Sequence, residues 1–181
     1  DLAIGGYQDQ PAALKTDGSL WDWGANLAGQ LGAPTQGRPD GDVIGDCLSP
    51  MKLMEGVAAV SACRSYSLAL KTDGTICAWG DNQYVQLGNG GSGNMAVMRP
   101  GASSTFCQTS PVQILDKVAS MSAGGSSRAC HALAVKEDGS LWGWGSNQYG
   151  QLGDSPLLPV SIPTRLDTGV RSAVAGGEFS L

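Results

Sequence analysis

A single histidine, two phenylalanines and a charged fraction of 15 % leave this 181-residue chain short of the side chains that build most active sites. Lys and Arg total 11 against 16 Asp and Glu, for a net charge of −5, and the basic residues never cluster. Nucleic-acid binders neutralise phosphates with a basic face, so no nucleic-acid partner is expected. No apolar run approaches the roughly 18 residues that a membrane-spanning helix needs, and no membrane insertion is expected. GxxxxGK, strand-linked GxGxxG and GxSxG are all missing, which leaves no expected cofactor and no nucleophile elbow. His131 has only Ser126 or Ser127 nearby in sequence and no evident acid to orient it, so the chain reads as a non-enzyme. The acidic stretch DGDVIGD (40–46) lacks the spacing and distal glutamate of a calcium loop and reads as an exposed loop, with no metal expected. An initiator methionine and a signal peptide are also missing, which reads as a processed chain or a fragment.

Glycine, by contrast, is abundant at 27 residues, and it recurs in a fixed phrase. DGSLWDWGANLAGQLG (17–32) returns as DGTICAWGDNQYVQLG (73–88) and DGSLWGWGSNQYGQLG (138–153). Each Asp-Gly pair lies between apolar runs, the signature of a hairpin with a two-residue type I′ turn. Pairing outward from such a turn sets Leu14 opposite Trp21, Leu70 opposite Cys77 and Val135 opposite Trp142. Trp23, Trp79 and Trp144 then share a bulky face with Ala12, Leu68 and Leu133, while Leu20, Ile76 and Leu141 lie on a smaller one. Two apolar faces demand cover on both sides, and stacking bulky face on small face supplies it. Small-residue strands precede each hairpin (2–6, 57–63, 118–125), and Pro-bearing edge strands follow (49–53, 110–115, 162–166). Four strands per repeat, packed radially, make a propeller blade. The expected divisions are about 1–56, 57–117 and 118–169, with a fourth repeat starting at 170–181.

The constant residues read as scaffold: Asp17, Gly18, Trp23, Gly24 and Gly32; Asp73, Gly74, Trp79, Gly80 and Gly88; Asp138, Gly139, Trp144, Gly145 and Gly153. Gly32, Gly88 and Gly153 recur without exception and predict a backbone shape that glycine takes cheaply. Gly29 and Gly150 have Val85 in the matching place, which predicts no such shape there.

This register of small strand, Asp-Gly, Trp-Gly, Asn and Gln-Leu-Gly resembles the regulator of chromosome condensation repeat, over three complete repeats and the start of a fourth. The resemblance implies an all-β propeller, typically of seven blades, of which three and a part are present. The family includes a nucleotide-exchange factor for a small GTPase, and similar propellers include an inhibitor of β-lactamases. Function in such folds sits on loops. The expected role is therefore a non-enzymatic protein-interaction scaffold presenting rim loops to a protein partner. The alternative is regulation of an enzyme, by small-GTPase nucleotide exchange or by inhibition. The expected contact residues are Arg64, Tyr66, Arg128 and His131 ahead of the hairpins, with Met95 and Met98 in the second insertion. The incomplete ring predicts completion by further repeats of the same chain or by self-association.

Cys47 and Cys107 fall in the insertions 33–48 and 89–109, while Cys63 and Cys130 stand just ahead of the following hairpins. Their parallel placement suggests disulfides Cys47–Cys63 and Cys107–Cys130, with Cys77 buried and reduced. Sequence leaves the connectivity open. The disulfide reading predicts a secreted or otherwise extracytoplasmic protein. The alternative is a cytoplasmic protein with five reduced thiols.

Overall fold

The structure is a computed structural model that describes residues 2–6, 10–26, 28–33, 46–63, 66–91, 95–97, 105–125, 129–153 and 158–181. Among these residues there are strands and no helix. The first blade comprises β1 (Leu2–Gly6), β2 (Gln10–Leu14), β3 (Leu20–Gly24) and β4 (Cys47–Met54), paired antiparallel in chain order. The second contains β5 (Val57–Cys63), β6 (Tyr66–Lys71), β7 (Ile76–Asp81), β8 (Met95–Val97) and β9 (Thr105–Leu115), in the order β5-β6-β7-β9-β8. The third comprises β10 (Val118–Gly124), β11 (His131–Lys136), β12 (Leu141–Gly145) and β13 (Val160–Asp167). The chain is thus all-β, in propeller blades. The second blade departs from the expected four strands: its insertion adds β8 to the outer edge of β9.

The hairpin register differs from the sequence expectation by one residue. Leu14 pairs with Leu20 and Ala13 with Trp21; Leu70 pairs with Ile76 and Ala69 with Cys77; Val135 pairs with Leu141 and Ala134 with Trp142. The turn causes the shift. Lys15 N donates to Ser19 O and Gly18 N to Lys15 O, which closes a three-residue loop, and the same bonds recur at Lys71 and Lys136. Only the glycine of each Asp-Gly pair takes positive φ (77° at Gly18, 80° at Gly74, 77° at Gly139). That is a type I turn ending in a left-handed residue, whereas type I′ needs positive φ at both positions. The aspartate keeps ordinary φ, and Asp17 Oδ1 accepts from Ser19 N (2.9 Å) and Ser19 Oγ (2.6 Å). Serine and threonine hydrogen bonds hold the Asp17, Asp73 and Asp138 carboxyls below their usual range.

A one-residue slip exchanges faces, so the stacking partners change. Leu68, Leu70, Ile76 and Ala78 form one face of the second blade and pack on Ala132, Ala134 and Trp144 of the third. Ala12 and Leu20 of the first blade pack against Ala69 and Trp79 of the second. A branched aliphatic face therefore meets an alanine face topped by one tryptophan, and the two interdigitate. Backbone bonds pin each joint at the inner end. Gly18 O accepts from Val57 N, Gly74 O from Val118 N and Gly139 O from Val170 N, each at 2.9 Å. The turn glycine of one blade thus anchors the first inner residue of the next.

Residues 170–181 begin a fourth hairpin. Val174 and Leu181 exchange backbone hydrogen bonds (2.8 and 2.9 Å), and Gly176 N donates to Phe179 O.

Val85 corrects another expectation. Its φ is 56°, in line with Gly29 (70°) and Gly150 (75°) at the matching positions. The site demands the left-handed region after all, and a β-branched residue sits there under strain. Val85→Gly is expected to stabilise the chain by about 1 kcal/mol, since relief of strain outweighs the extra chain entropy of glycine. A lower midpoint for this variant in urea unfolding would contradict that.

Candidate functional site

The recurring Asn-x-x-x-Gln-Leu-Gly segment builds a socket on one face of each blade. Leu31 N donates to Asn26 Oδ1 (3.0 Å) and Ala28 N to Gln30 Oε1 (2.7 Å). The same two bonds recur through Asn82 and Gln86, and through Asn147 and Gln151. All six amide side chains are buried, so the loop is fastened by its own residues. The glycine that ends it leaves room for a neighbour. A Cβ on Gly32 would stand 2.8 Å from Trp79 Cδ1, and one on Gly88 would stand 2.6 Å from Trp144 Cδ1. Trp79 Nε1 also donates to Gln30 O (2.8 Å); Trp144 Nε1 is buried without a hydrogen-bond partner. Both tryptophans are fully buried, as a core role requires.

The third copy of the socket is open. A Cβ on Gly153 would meet nothing within 4 Å among the described residues. Around it lies a concavity of about 500 Å³ lined by Leu133, Leu141, Leu152, Leu166, Tyr149 and Phe179. Tyr149 is 61 % exposed and Leu181 81 %. At the other end Trp23, the matching tryptophan of the first blade, is only half-buried. Among the described residues, one socket is open and one tryptophan is only half-buried.

Two of the expected contact residues lie inside the molecule, because they fill the joints between blades. Tyr66 is fully buried, and its hydroxyl donates to His131 O (2.8 Å). His131 is fully buried too, with Nε2 3.0 Å from Ser180 Oγ, which in turn donates to Gln151 O (2.7 Å). The serine proton is thereby committed, so Nε2 carries the donated hydrogen in this contact. This serine–histidine pair is a blade-to-blade link at which Tyr66, His131 and Phe179 occupy matching positions, Tyr66 and His131 each opening the second strand of a blade. Sequence reasoning missed Ser180 because it lies 49 residues from His131. Met95 belongs to β8; Arg64, Met98 and Arg128 lie outside the described residues. So does the acidic stretch 40–45, whereas Asp46 Oδ1 accepts from Asn26 N (3.4 Å).

Burial pushes the His131 pKa down from 6.5, against a backbone contact with Ala129 that raises it. A lowered folded pKa means that the unfolded chain binds the proton more readily. The stability tied to neutral His131 is therefore present above about pH 6.5 and lost as pH falls. Because this is the only histidine, His131→Phe is expected to remove most of the change in urea midpoint between pH 7 and pH 5. An unchanged pH profile in the variant would refute the assignment.

The expected disulfides are not formed: none of the five cysteines is in a disulfide. Cys47 lies at the start of β4 and Cys107 in β9, both outer strands, whereas Cys63 ends the inner strand β5 and Cys130 stands just before the second strand β11. Cys63 Sγ instead faces Cys130 Sγ at 3.6 Å.

The regulator of chromosome condensation (RCC1) repeat profile matches residues 73–130 and 138–181, and a second profile of that repeat matches 118–151. Over 172 residues, 90 % of this chain, the sequence is 32 % identical to human E3 ubiquitin-protein ligase HERC2, of which it covers 3 %. It is 35 % identical over 151 residues, 81 % of this chain, to the Arabidopsis thaliana mitochondrial RCC1 domain-containing protein RUG3, of which it covers 29 %. Among solved structures, Prp20p from Saccharomyces cerevisiae, studied for its binding to Gsp1p and histones, superposes with a TM-score of 0.71 at 22 % identity. That match covers 99 % of this chain and 42 % of Prp20p. The same yeast protein bound to Kap60 gives a TM-score of 0.74 at 21 % identity, over 96 % of this chain and 40 % of that one. The chain thus spans about a third or less of the curated relatives it matches here.

Proposed function

The chain belongs to the regulator of chromosome condensation repeat family, and from that premise we propose that it is a non-enzymatic scaffold that holds a protein partner on elements added to its blades. The observation that carries this reading is the fifth strand of the second blade. Most of the repeat residues are spent inside the fold: Asn and Gln fasten the sockets, and Trp79 and Trp144 fill two of them over Gly32 and Gly88. β8 lies outside that pattern, pairs with Thr105–Cys107 of β9 and leaves Phe106 40 % exposed beside it. An exposed aromatic beside an added edge strand offers both backbone and apolar contacts to another chain. The yeast relative's binding to Gsp1p, histones and Kap60 supports a protein as the partner.

A photoreactive residue at position 106 is expected to cross-link one protein in an extract of the source cells. Phe106→Asp should abolish binding of that protein with an unchanged melting temperature. Equal binding by the variant would sink the reading. Regulation of an enzyme by these loops is the competing role. Nucleotide-exchange and enzyme-inhibition assays with the isolated chain separate the two.

A further inference from the structure

We propose that Cys63 and Cys130 form a thiol–disulfide exchange site that staples the second blade to the third when a small-molecule disulfide is the oxidant. The two sulfurs lie 3.6 Å apart although 67 residues separate them. Cys63 is the last residue of the inner strand β5 and Cys130 immediately precedes the second strand β11, so the pair sits at strand ends and not in the middle of a sheet. Both are buried and share a core cluster with Tyr66, which carries no charge there because burial pushes its pKa well above the usual value.

The repeat does not require this pair. The place of Cys63, opposite the first residue of the hairpin's second neighbour strand, is held by Gly124 in the third blade. The fold therefore works at that position without sulfur, and the sulfurs meet at only one of the described joints. Two of the other thiols are held protonated by their surroundings. Burial pushes Cys107 up to about 11 and raises Cys77 as well, which keeps both almost wholly protonated near neutral pH.

The chemistry balances with a small disulfide such as oxidised glutathione. One cysteine, having lost its proton, attacks a glutathione sulfur and expels the first glutathione thiolate, giving a mixed disulfide. The second cysteine, also deprotonated, attacks the protein sulfur of that mixed disulfide and expels the second. Two cysteine thiols are oxidised, one glutathione disulfide is reduced to two glutathiones, and the two protons end on the glutathione thiolates. The sulfurs must approach to about 2 Å, a movement that side-chain rotation and a small blade shift supply. Closing a loop of this length restricts the unfolded chain and stabilises the joint.

The folded chain is incubated with oxidised glutathione, alkylated, digested and mapped by mass spectrometry. The expected product is a peptide pair linked through Cys63 and Cys130, lighter by two hydrogens than the separate peptides. The melting temperature should rise by roughly 5 °C, and dithiothreitol should reverse both changes. Cys63→Ser or Cys130→Ser should abolish the link, and Cys77→Ser should leave it intact. A map showing only reduced or singly glutathionylated Cys63 and Cys130, or a link to any other cysteine, overturns the proposal, and the wild-type map decides this without any variant.

Discussion

Gly88→Ala is expected to lower the stability of this chain by on the order of 3 kcal/mol, and Gly153→Ala by only about 1. The two glycines close the same repeat phrase, and both have positive φ, 73° and 101°. A methyl group at either one meets the backbone cost of that region. What differs is the neighbour. At Gly88 the new carbon would sit 2.6 Å from Trp144 Cδ1 and 2.9 Å from two further indole atoms. Trp144 is fully buried, packed with Leu68, Leu70 and Ile76, so it yields only by opening the joint between the second and third blades. At Gly153 no described residue stands within 4 Å. Urea unfolding of the three proteins measures the contrast directly. Equal losses at both positions would show that the glycines serve backbone geometry alone and that the socket has no energetic part in blade packing.

The four repeated strands of each blade and their order were legible because each carries a local signal, whereas β8, inside the second insertion, was not. Small residues mark β5 and β10, and proline marks β4, β9 and β13. The positive φ of Gly32, Gly88 and Gly153 was legible for the same reason. Register was not. Asp-Gly is compatible with a two-residue and a three-residue loop, and the choice depends on whether the aspartate or only the glycine crosses to positive φ. Here Ser19, Thr75 and Ser140 each hold the aspartate by a backbone N–H bond, and every face assignment moved with that choice. Val85 misled because a valine argues against left-handed backbone locally, while the Asn82 and Gln86 bonds around it impose that backbone regardless. Tyr66 and His131 looked like loop residues by position. Their burial is a property of the joint between blades, and no single repeat contains that information. The cysteine pairing failed similarly: parallel placement in sequence suggested links from each insertion to the following hairpin, whereas the fold brings the end of β5 against the residue that precedes β11.

The isolated 181-residue chain should self-associate at micromolar concentration, through the open socket at one end and the first blade at the other. On the third blade Leu133 and Leu152 are already buried and Leu141 and Leu166 partly so, on the counterpart of the face that Leu68, Leu70 and Ile76 bury in the second blade. Residues 173–175 cover part of it, burying Ala175 against Leu133 and Leu152, but Tyr149, Phe179 and Leu181 stay exposed around the concavity. The first blade presents Trp21 and Trp23 with no blade before them, both only half-buried. At roughly 25 cal/mol per Å², covering about 400 Å² of apolar surface contributes on the order of 10 kcal/mol before the entropic cost of association. The two ends are different surfaces, one with a socket and one with a tryptophan, so such a contact would be head-to-tail, and copies would close into a ring or extend according to the rotation each joint imposes. Sedimentation velocity should show species larger than a monomer. Trp23→Asp should return the chain to a monomer while leaving its circular dichroism unchanged, because Trp23 fills no joint within one copy. If the unaltered chain instead sediments as a monomer at tens of micromolar and unfolds cooperatively, the end faces are covered within the chain itself, and the open socket is not a docking surface.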